Sequence, residues 1–115
     1  MAETITRDEL KTALDDGRDL TIVESLSPQS YEKAHLPGAI NVPKEQVREL
    51  APRLLPEKDA EIVVYCANTE CQSSIQTAQA LEGLGYTNVK DYEAGKEDWI
   101  QAGLPVESGA AAEVA

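Results

Sequence analysis

Aromatic, sulfur-containing and histidine residues are scarce in this sequence. Its 115 residues include no Phe, one Trp, four Tyr, one Met, two Cys and one His. A core therefore has to be built mainly from Ile, Leu, Val and Ala, and the length suffices for one domain of ordinary size. A zinc site needs about four ligands, and the single His is far from both cysteines in the sequence, so we expect no metal centre.

Positive charge is also in short supply, since 10 Lys and Arg stand against 21 Asp and Glu and leave a net charge of −11. Such a surface repels phosphate backbones and anionic lipid headgroups, so we expect neither nucleic acid nor a membrane as a partner. No stretch is long and apolar enough to cross a bilayer, and residues 1–4 lack the basic start and apolar run of a signal peptide. We therefore expect a cytoplasmic protein with two thiols rather than a structural disulfide.

Short apolar runs alternate with helical segments along the chain, which predicts an α/β fold of βαβ units around a mainly parallel sheet. Thr6 and Glu9 form a capping-box pair, so a helix is predicted to begin at Arg7. Further helices are predicted at 28–34, 44–55, 73–84 and 96–102, and strands at 20–24, 39–42, 61–66 and 88–92. The continuous apolar run in 61–66 is typical of a strand buried on both faces in the middle of a parallel sheet.

The helix predicted at 73–84 follows the buried strand after a polar loop. Ser73 or Ser74 is expected to cap it. Its spacing predicts that Ile75, Ala78 and Leu81 face the core.

Cys66 ends the buried strand and is the candidate nucleophile. In open α/β sheets, ligands bind outside the carboxyl ends of the strands, and the N-terminus of the next helix supplies unpaired N–H groups and a positive dipole end. These groups favour a thiolate and can hold an anion beside it. A thiolate there can attack a sulfur donor and carry the sulfur as a persulfide. Spacing alone leaves open an inert buried cysteine.

Cys71 lies five positions later in the same loop. It could resolve a persulfide or sulfenate on Cys66 by forming a disulfide. The simpler interpretation, which we take as the default, is a loop cysteine without a role.

Three stretches of the sequence resemble the rhodanese family. They are YEKAHLPGAINVP at 31–43, IVVYC at 62–66, and the C-terminal run that comprises LGYTNV at 84–89, EAG at 93–95, Trp99 and AGLPV at 102–106. Their order and spacing match the family over about residues 4–107. The resemblance implies a five-stranded, mainly parallel sheet flanked by helices on both faces, with Cys66 in the catalytic position. It implies neither a metal nor an organic cofactor.

We therefore expect a rhodanese-like domain at 1–107. The residues that follow are small and polar, which predicts a disordered C-terminal tail at 108–115. The implied activity is sulfur transfer, in which a persulfide forms on Cys66 and passes to a thiol or cyanide acceptor.

The loop after Cys66 departs from the family pattern. Active members usually have a six-residue loop that begins with Cys and often holds Gly and a basic residue. Here the loop is about two residues longer and continues through Ala67, Asn68, Thr69, Glu70, Cys71, Gln72 and Ser73. It lacks the Arg that usually binds an oxyanion. We therefore expect a polysulfide or persulfide donor, held mainly by backbone N–H groups, in preference to thiosulfate. The missing Arg also argues against a related phosphatase or an arsenate reductase.

Two supporting residues are expected from the resemblance. Glu24 stands where the family commonly has the Asp of an Asp-x-Arg pair, so it either ties neighbouring loops by hydrogen bonds or is a surface carboxylate. His35 is expected to hydrogen-bond locally and fix the turn before Pro37, with a role as catalytic base less favoured. One of four cations could reach the loop in place of the missing Arg, or all could be solvated: Lys44, Arg48, Arg53 and Lys58.

Two functions remain open from the sequence. The leading hypothesis is a single-domain sulfurtransferase or persulfide carrier whose partners are a small sulfur donor and a thiol acceptor. The alternative is a non-catalytic rhodanese-like module that binds a partner or senses redox state through Cys66 and Cys71. The cysteine at the strand end favours the first, and the long loop without a cation favours the second. The oligomeric state is not predicted.

Overall fold

A computed structural model of the protein describes residues 3–109. Strands and helices alternate along the chain, as the sequence predicts. They are β1 (Glu3–Thr4), α1 (Arg7–Asp15), β2 (Thr21–Glu24), α2 (Pro28–Lys33), β3 (Ile40–Asn41), α3 (Val47–Leu54), β4 (Ile62–Tyr65), α4 (Ser73–Gly83), β5 (Val89–Tyr92) and α5 (Gly95–Gln101). A 3-10 turn at Lys44–Gln46 precedes α3.

The five strands form one parallel sheet in the order β1-β5-β4-β2-β3. β4 is central and fully buried, as its continuous apolar sequence predicts. In the register, Val64 of β4 pairs with Val23 of β2 on one side and with Asp91 of β5 on the other. The end of β4 therefore delivers Cys66 to the middle of the carboxyl edge of the sheet.

Helices cover both faces of the sheet and enclose two hydrophobic cores, because successive strand residues point to opposite faces. α3 and α4 pack over one face. The residues buried there are Val23, Val42, Val47, Ala51, Leu55, Ile62, Val64, Ala78, Leu81, Tyr86 and Val89. α1, α2 and α5 pack over the other face, where the buried residues are Ile5, Leu10, Ile22, Tyr31, Leu36, Ala39, Val63, Tyr65, Tyr92 and Trp99. The predicted α/β fold with helices on both faces is confirmed.

Local sequence signals explain two of the helix starts. Thr6 and Glu9 form the predicted capping box, with 3.1 Å from the Glu9 backbone N–H to Thr6 Oγ1 and 2.9 Å from the Thr6 N–H to Glu9 Oε1. Ser27 caps α2 ahead of Pro28 at the first helical position, where Pro lacks only an N–H that the helix would leave unpaired.

Other local predictions were wrong. Gln46 has φ −114° and ψ 10°, so the segment predicted as one helix at 44–55 is a 3-10 turn followed by α3. α4 begins after Gln72 with no side-chain cap, so neither Ser73 nor Ser74 caps it. Its inward face runs through Ser74, Thr77, Ala78 and Leu81, which leaves Ile75 40% exposed.

The C-terminal segment returns to the body of the domain. The backbone of Glu107 pairs with that of His35 through two hydrogen bonds of 2.8 Å, and the Gly109 N–H donates to the Glu32 carbonyl. Gly109, the second residue of the tail predicted at 108–115, therefore makes a backbone contact with the domain. Residues 110–115 lie outside the described part of the chain. Among residues 3–109, no helix is long and apolar enough to span a membrane.

Candidate functional site

Cys66 follows the last residue of β4 and is 1% exposed. Its Sγ lies 3.3 Å from the backbone carbonyl oxygen of Cys71 and 3.6 Å from Oγ of Ser74 in the first turn of α4. The backbone N–H of Ser74 acts to lower the pKa of the Cys66 thiol. The strand end, the loop and the helix N-terminus therefore converge on one sulfur atom.

α5 holds the beginning of the loop. The Lys96 N–H donates to the carbonyl of Cys66 and the Glu97 N–H to that of Ala67, both at 2.8 Å, while Asn68 Nδ2 donates to Glu97 Oε2 at 3.1 Å. Gly95 permits this approach. A Cβ on it would lie 2.7 Å from backbone atoms of Cys66, Ala67 and Asn68, and its φ of +80° is itself favourable only for Gly.

Asn68 organises the rest of the loop. Its Oδ1 accepts the backbone N–H groups of Glu70 at 3.0 Å and of Cys71 at 3.1 Å, an arrangement typical of an Asx turn. Two of the loop N–H groups expected to hold a donor are therefore used within the loop.

The two thiols of the loop influence each other in opposite directions. Burial raises the pKa of Cys66, the hydrogen bond with Cys71 raises it further, and the hydroxyl and N–H of Ser74 only partly offset this. Burial also acts to raise the pKa of Cys71, but hydrogen bonds from the Cys66 thiol, the Ala67 N–H and Ser73 outweigh it and lower the value. The thiolate expected at Cys66 is therefore favoured at Cys71 instead, because Cys66 lies deeper and donates its own proton.

Glu24 is fully buried and bonded on both oxygens. Its Oε1 accepts from the Tyr65 hydroxyl at 2.6 Å and its Oε2 from Lys96 Nζ at 3.1 Å. Lys96 Nζ also donates to the carbonyls of Ser30 and Ala34, at 3.0 and 2.7 Å. Burial raises the pKa of Glu24, against the effect of these bonds. Glu24 thus ties the elements beneath the Cys66 loop and is not a surface carboxylate.

His35 lies in a separate buried cluster. Its Nδ1 is 2.8 Å from the Tyr31 carbonyl oxygen, and its ring stacks on the Tyr31 ring at 3.8 Å. Its Nε2 lies 3.8 Å from Glu107 Oε1. The contacts with Tyr31 are local, as expected, whereas Glu107 connects His35 to the C-terminal segment.

The structure brings only part of the expected site together. Cys66, Cys71 and Ser73 lie within one hydrogen-bonded loop, whereas the side chains of Thr69, Glu70 and Gln72 are exposed. Lys58 does not supply a cation to the loop, since its Nζ donates to the Leu84 carbonyl at the far end of α4. Within residues 3–109, no three His, Cys, Asp or Glu side chains are grouped to hold a metal ion.

Three residues of this region were missed from the sequence, namely Ser74, Asp91 and Lys96. Ser74 was considered only as a helix cap, although its spacing from Ala78 and Leu81 places it on the inward face. Lys96 directly follows the EAG stretch that is part of the family resemblance, and this adjacency is the sequence feature that could have identified it. Asp91 occupies an inward position of β5 that the strand pattern assigns to the core.

Comparison with known proteins agrees with this geometry. The family model of the rhodanese-like domain matches residues 6–102. The chain belongs to the rhodanese family. The HTH-type transcriptional regulator Rv0324 of Mycobacterium tuberculosis is 36% identical over 109 residues, which are 94% of this chain and 46% of that protein. Thiosulfate sulfurtransferase PspE of Escherichia coli is 38% identical over 64 residues, which are 56% of this chain and 60% of that protein.

A solved structure also superposes closely. The BH2092 protein of Bacillus halodurans matches with a TM-score of 0.86 and 24% identity, over 97% of this chain and 81% of that one. This likeness supports the fold alone. The rhodanese chain described here spans about half the length of the curated relatives it matches.

Proposed function

We propose that this rhodanese domain is a sulfurtransferase or persulfide carrier that moves sulfane sulfur through Cys66. The observation that carries the proposal is the convergence of the β4 end and the α4 N-terminus on the Cys66 sulfur, which lies 3.3 Å from the Cys71 carbonyl oxygen and 3.6 Å from the Ser74 hydroxyl oxygen. Membership of a family whose members include a named thiosulfate sulfurtransferase supports the same chemistry. The proposed site is Cys66 with loop residues 67–73, on the domain at 1–107.

The proposed reaction needs no external oxidant. The Cys66 thiolate attacks the outer sulfane sulfur of a donor, a new S–S bond forms, and the bond between that sulfur and the rest of the donor breaks with its electron pair. From thiosulfate the leaving group is sulfite; from a polysulfide it is the shortened polysulfide. Attack of a thiol or cyanide on the terminal sulfur then returns the Cys66 thiolate. Because Cys66 is 1% exposed, the loop at 67–72 must move to admit the donor.

The charge around the loop bears on the donor. Glu70 is exposed at the loop, Lys96 is engaged with Glu24, and the chain has a net charge of −11. A dianion such as thiosulfate is repelled by this arrangement. We therefore propose a polysulfide or a persulfide as the preferred donor, and a low-molecular-weight or protein thiol as the acceptor.

A redox-sensing module is the second candidate, and the proximity of the two cysteines favours it, since the Cys66 thiol donates to the Cys71 carbonyl at 3.3 Å and acts to lower the pKa of the Cys71 thiol. A peroxide would oxidise the more acidic Cys71 thiolate to a sulfenate, and attack by Cys66 would then form a disulfide and release water. The relative named as a transcriptional regulator is compatible with such a sensing role.

Loading followed by a chase separates the two functions. The reduced protein is treated with polysulfide, freed of excess donor and mixed with cyanide, and thiocyanate is measured for the wild type, Cys66→Ser and Cys71→Ser. We expect stoichiometric thiocyanate from the wild type and Cys71→Ser, and none from Cys66→Ser. Thiocyanate that does not depend on Cys66 would contradict sulfur transfer. Loss of sulfur loading together with a Cys66–Cys71 disulfide after mild peroxide would favour the sensor.

A further inference from the structure

A buried carboxyl group lies close to Cys66 and takes no part in the chemistry described so far. Asp91 of β5 is 4% exposed, and within residues 3–109 its Oδ1 is one of two buried side-chain atoms without a hydrogen-bond partner, the other being Thr77 Oγ1. Asp91 pairs in register with Val64, two residues before Cys66. Because residues two apart in a strand share a face, Asp91 lies on the α4 side of the sheet beside the end of β4.

The Ser74 hydroxyl connects this carboxyl group to the thiol. Ser74 is 2% exposed, its Oγ lies 3.6 Å from the Cys66 Sγ, and its hydroxyl faces the Asp91 carboxyl group and acts to lower the pKa of that group. A hydroxyl group can accept one proton while it donates another. Cys66, Ser74 and Asp91 are therefore buried next to one another, with the Ser74 hydroxyl placed between the thiol and the carboxyl group, away from Cys71.

We propose that Asp91 is a positioning residue that takes the Cys66 proton through the Ser74 hydroxyl, a role that rests on the proposed sulfur transfer. As the Cys66 sulfur bonds to the sulfane sulfur, its proton moves to Ser74 Oγ, and the Ser74 proton moves to the Asp91 carboxylate. The donor leaves with the electron pair of the broken S–S bond. When an acceptor thiolate removes the sulfane sulfur, the proton returns along the same path, so the cycle neither gains nor loses charge.

The environments of the Asp91 carboxyl group and the Cys66 thiol shift their pKa values in directions that favour this proton transfer. Burial raises the pKa of the Asp91 carboxyl, with the Ser74 hydrogen bond opposing and the charge of Glu93 adding to the rise. A carboxylate with a raised pKa is a better acceptor for a thiol proton, since transfer is most efficient when the two pKa values approach each other. Burial and Cys71 raise the pKa of the Cys66 thiol, so backbone N–H groups alone do not ionise it.

The test uses a neutral alkylating agent, so that thiol activation is measured apart from sulfur chemistry. Cys66 and Cys71 are the cysteines of this chain, and in a Cys71→Ser background the rate of reaction with iodoacetamide reports on Cys66 alone. From about pH 5 to about pH 8 a lone thiol reacts about tenfold faster per pH unit, in proportion to its thiolate. A thiol served by a carboxylate instead reaches a plateau, the flat profile, at which its rate is nearly independent of pH once that carboxylate is ionised.

We expect the flat profile in the Cys71→Ser parent, and the steep profile when Asp91→Asn or Ser74→Ala is added. Ser74→Thr, which keeps the hydroxyl, should restore the flat profile. Thr77→Val is the matched control, because it alters the other unpartnered buried group on the next turn of α4 and should leave the profile flat. A merely structural effect would lower the rate equally at every pH.

The same slope in the parent, Asp91→Asn and Ser74→Ala would overturn the proposal. Ser74→Ala leaves Asp91 in place. It therefore tests whether the reactivity of Cys66 depends on the Ser74 hydroxyl even if Asp91→Asn does not fold. Failure of the proposed function looks different, because the parent would then keep the flat alkylation profile yet take up no sulfur from polysulfide.

Discussion

Lys96, the second residue of α5, forms a buried ion pair with Glu24, the last residue of β2. Its Nζ lies 3.1 Å from Glu24 Oε2, and the two side chains are 11% and 0% exposed. The backbone N–H of the same Lys96 donates to the Cys66 carbonyl. One residue thus links the end of β2, the end of β4 and the start of the candidate loop.

Glu24→Gln should destabilise the domain strongly, because it leaves the buried Lys96 ammonium without a counter-charge. We expect a loss of about 3–5 kcal/mol in the free energy of unfolding, measured by urea denaturation. Lys96→Met should cost a similar amount, and the double variant should cost less than the sum of the two. Lys11→Met, which removes an exposed pair with Asp15, is the control and should cost at most about 0.5 kcal/mol. Equal effects of Glu24→Gln and Lys11→Met would contradict the account.

Gly95→Ala tests the close approach of α5 to the loop. A Cβ there would lie 2.7 Å from three backbone atoms, whereas a Cβ on Gly103, with a similar φ of +77°, meets nothing within 4 Å. Gly103→Ala therefore measures backbone strain alone, about 1–2 kcal/mol. Gly95→Ala should cost at least about 2 kcal/mol more, because backbone atoms have to move. Denaturation curves of the two variants that coincide would show that the approach is not needed.

Glu70→Gln should make thiosulfate a better donor. Removing one negative charge at the loop lowers the repulsion of a dianion, and we expect sulfur loading about threefold faster at low ionic strength. The gain should vanish at high salt and be absent with a neutral organic polysulfide. Glu57→Gln, an exposed residue before β4 at the opposite edge of the sheet, makes the same change in net charge and should leave the rate unaltered. A gain of the same size in both variants would refute a local effect.

The raised pKa of Asp91 predicts a specific pH dependence of stability. The unfolded chain ionises this carboxyl near its ordinary value of 3.8, whereas burial keeps it protonated to a higher pH in the folded protein. As pH rises above about 4, the unfolded state is therefore favoured progressively until the folded carboxyl also ionises. The Asp91→Asn variant has no carboxyl group at this position, so its free energy of unfolding does not fall with rising pH for this reason.

The stability of Asp91→Asn relative to the wild type should accordingly increase between about pH 4 and pH 7. Asp19→Asn, which makes the same change at an exposed position, is the control variant. Urea denaturation at several pH values provides the measurement. A relative stability of Asp91→Asn that stays constant or falls as pH rises would be inconsistent with a raised pKa.

Much of the fold was predictable because it depends on local periodicity. The apolar run of β4 and the spacing of the helices indicated a parallel α/β sheet. β1 gave no such signal, since both its residues are exposed and it pairs with β5 through backbone atoms at the sheet edge. The orientation of Ile75 was mispredicted because small polar residues, Ser74 and Thr77, occupy the inward face of α4.

The residues of the candidate site were predictable only where a local sequence pattern reveals them, and not where tertiary packing brings them together. Cys66 could be found because it ends a buried strand that leads into a helix. The partnership of Lys96 with Glu24, 72 residues apart, arises from packing and leaves no trace in spacing. The same holds for Asp91, whose nearness to Cys66 depends on the register between β4 and β5.

The central claim is that Cys66 carries a sulfane sulfur, and the intact mass of the protein tests it most directly. The reduced wild type, Cys66→Ser and Cys71→Ser are each mixed with polysulfide or thiosulfate, and the intact mass of each protein is measured by mass spectrometry. We predict a gain of one sulfur atom in the wild type and Cys71→Ser, larger with polysulfide, and no gain in Cys66→Ser. No added sulfur on the wild type from either donor, with Cys66 slow toward alkylating agents, would contradict sulfur transfer by this domain.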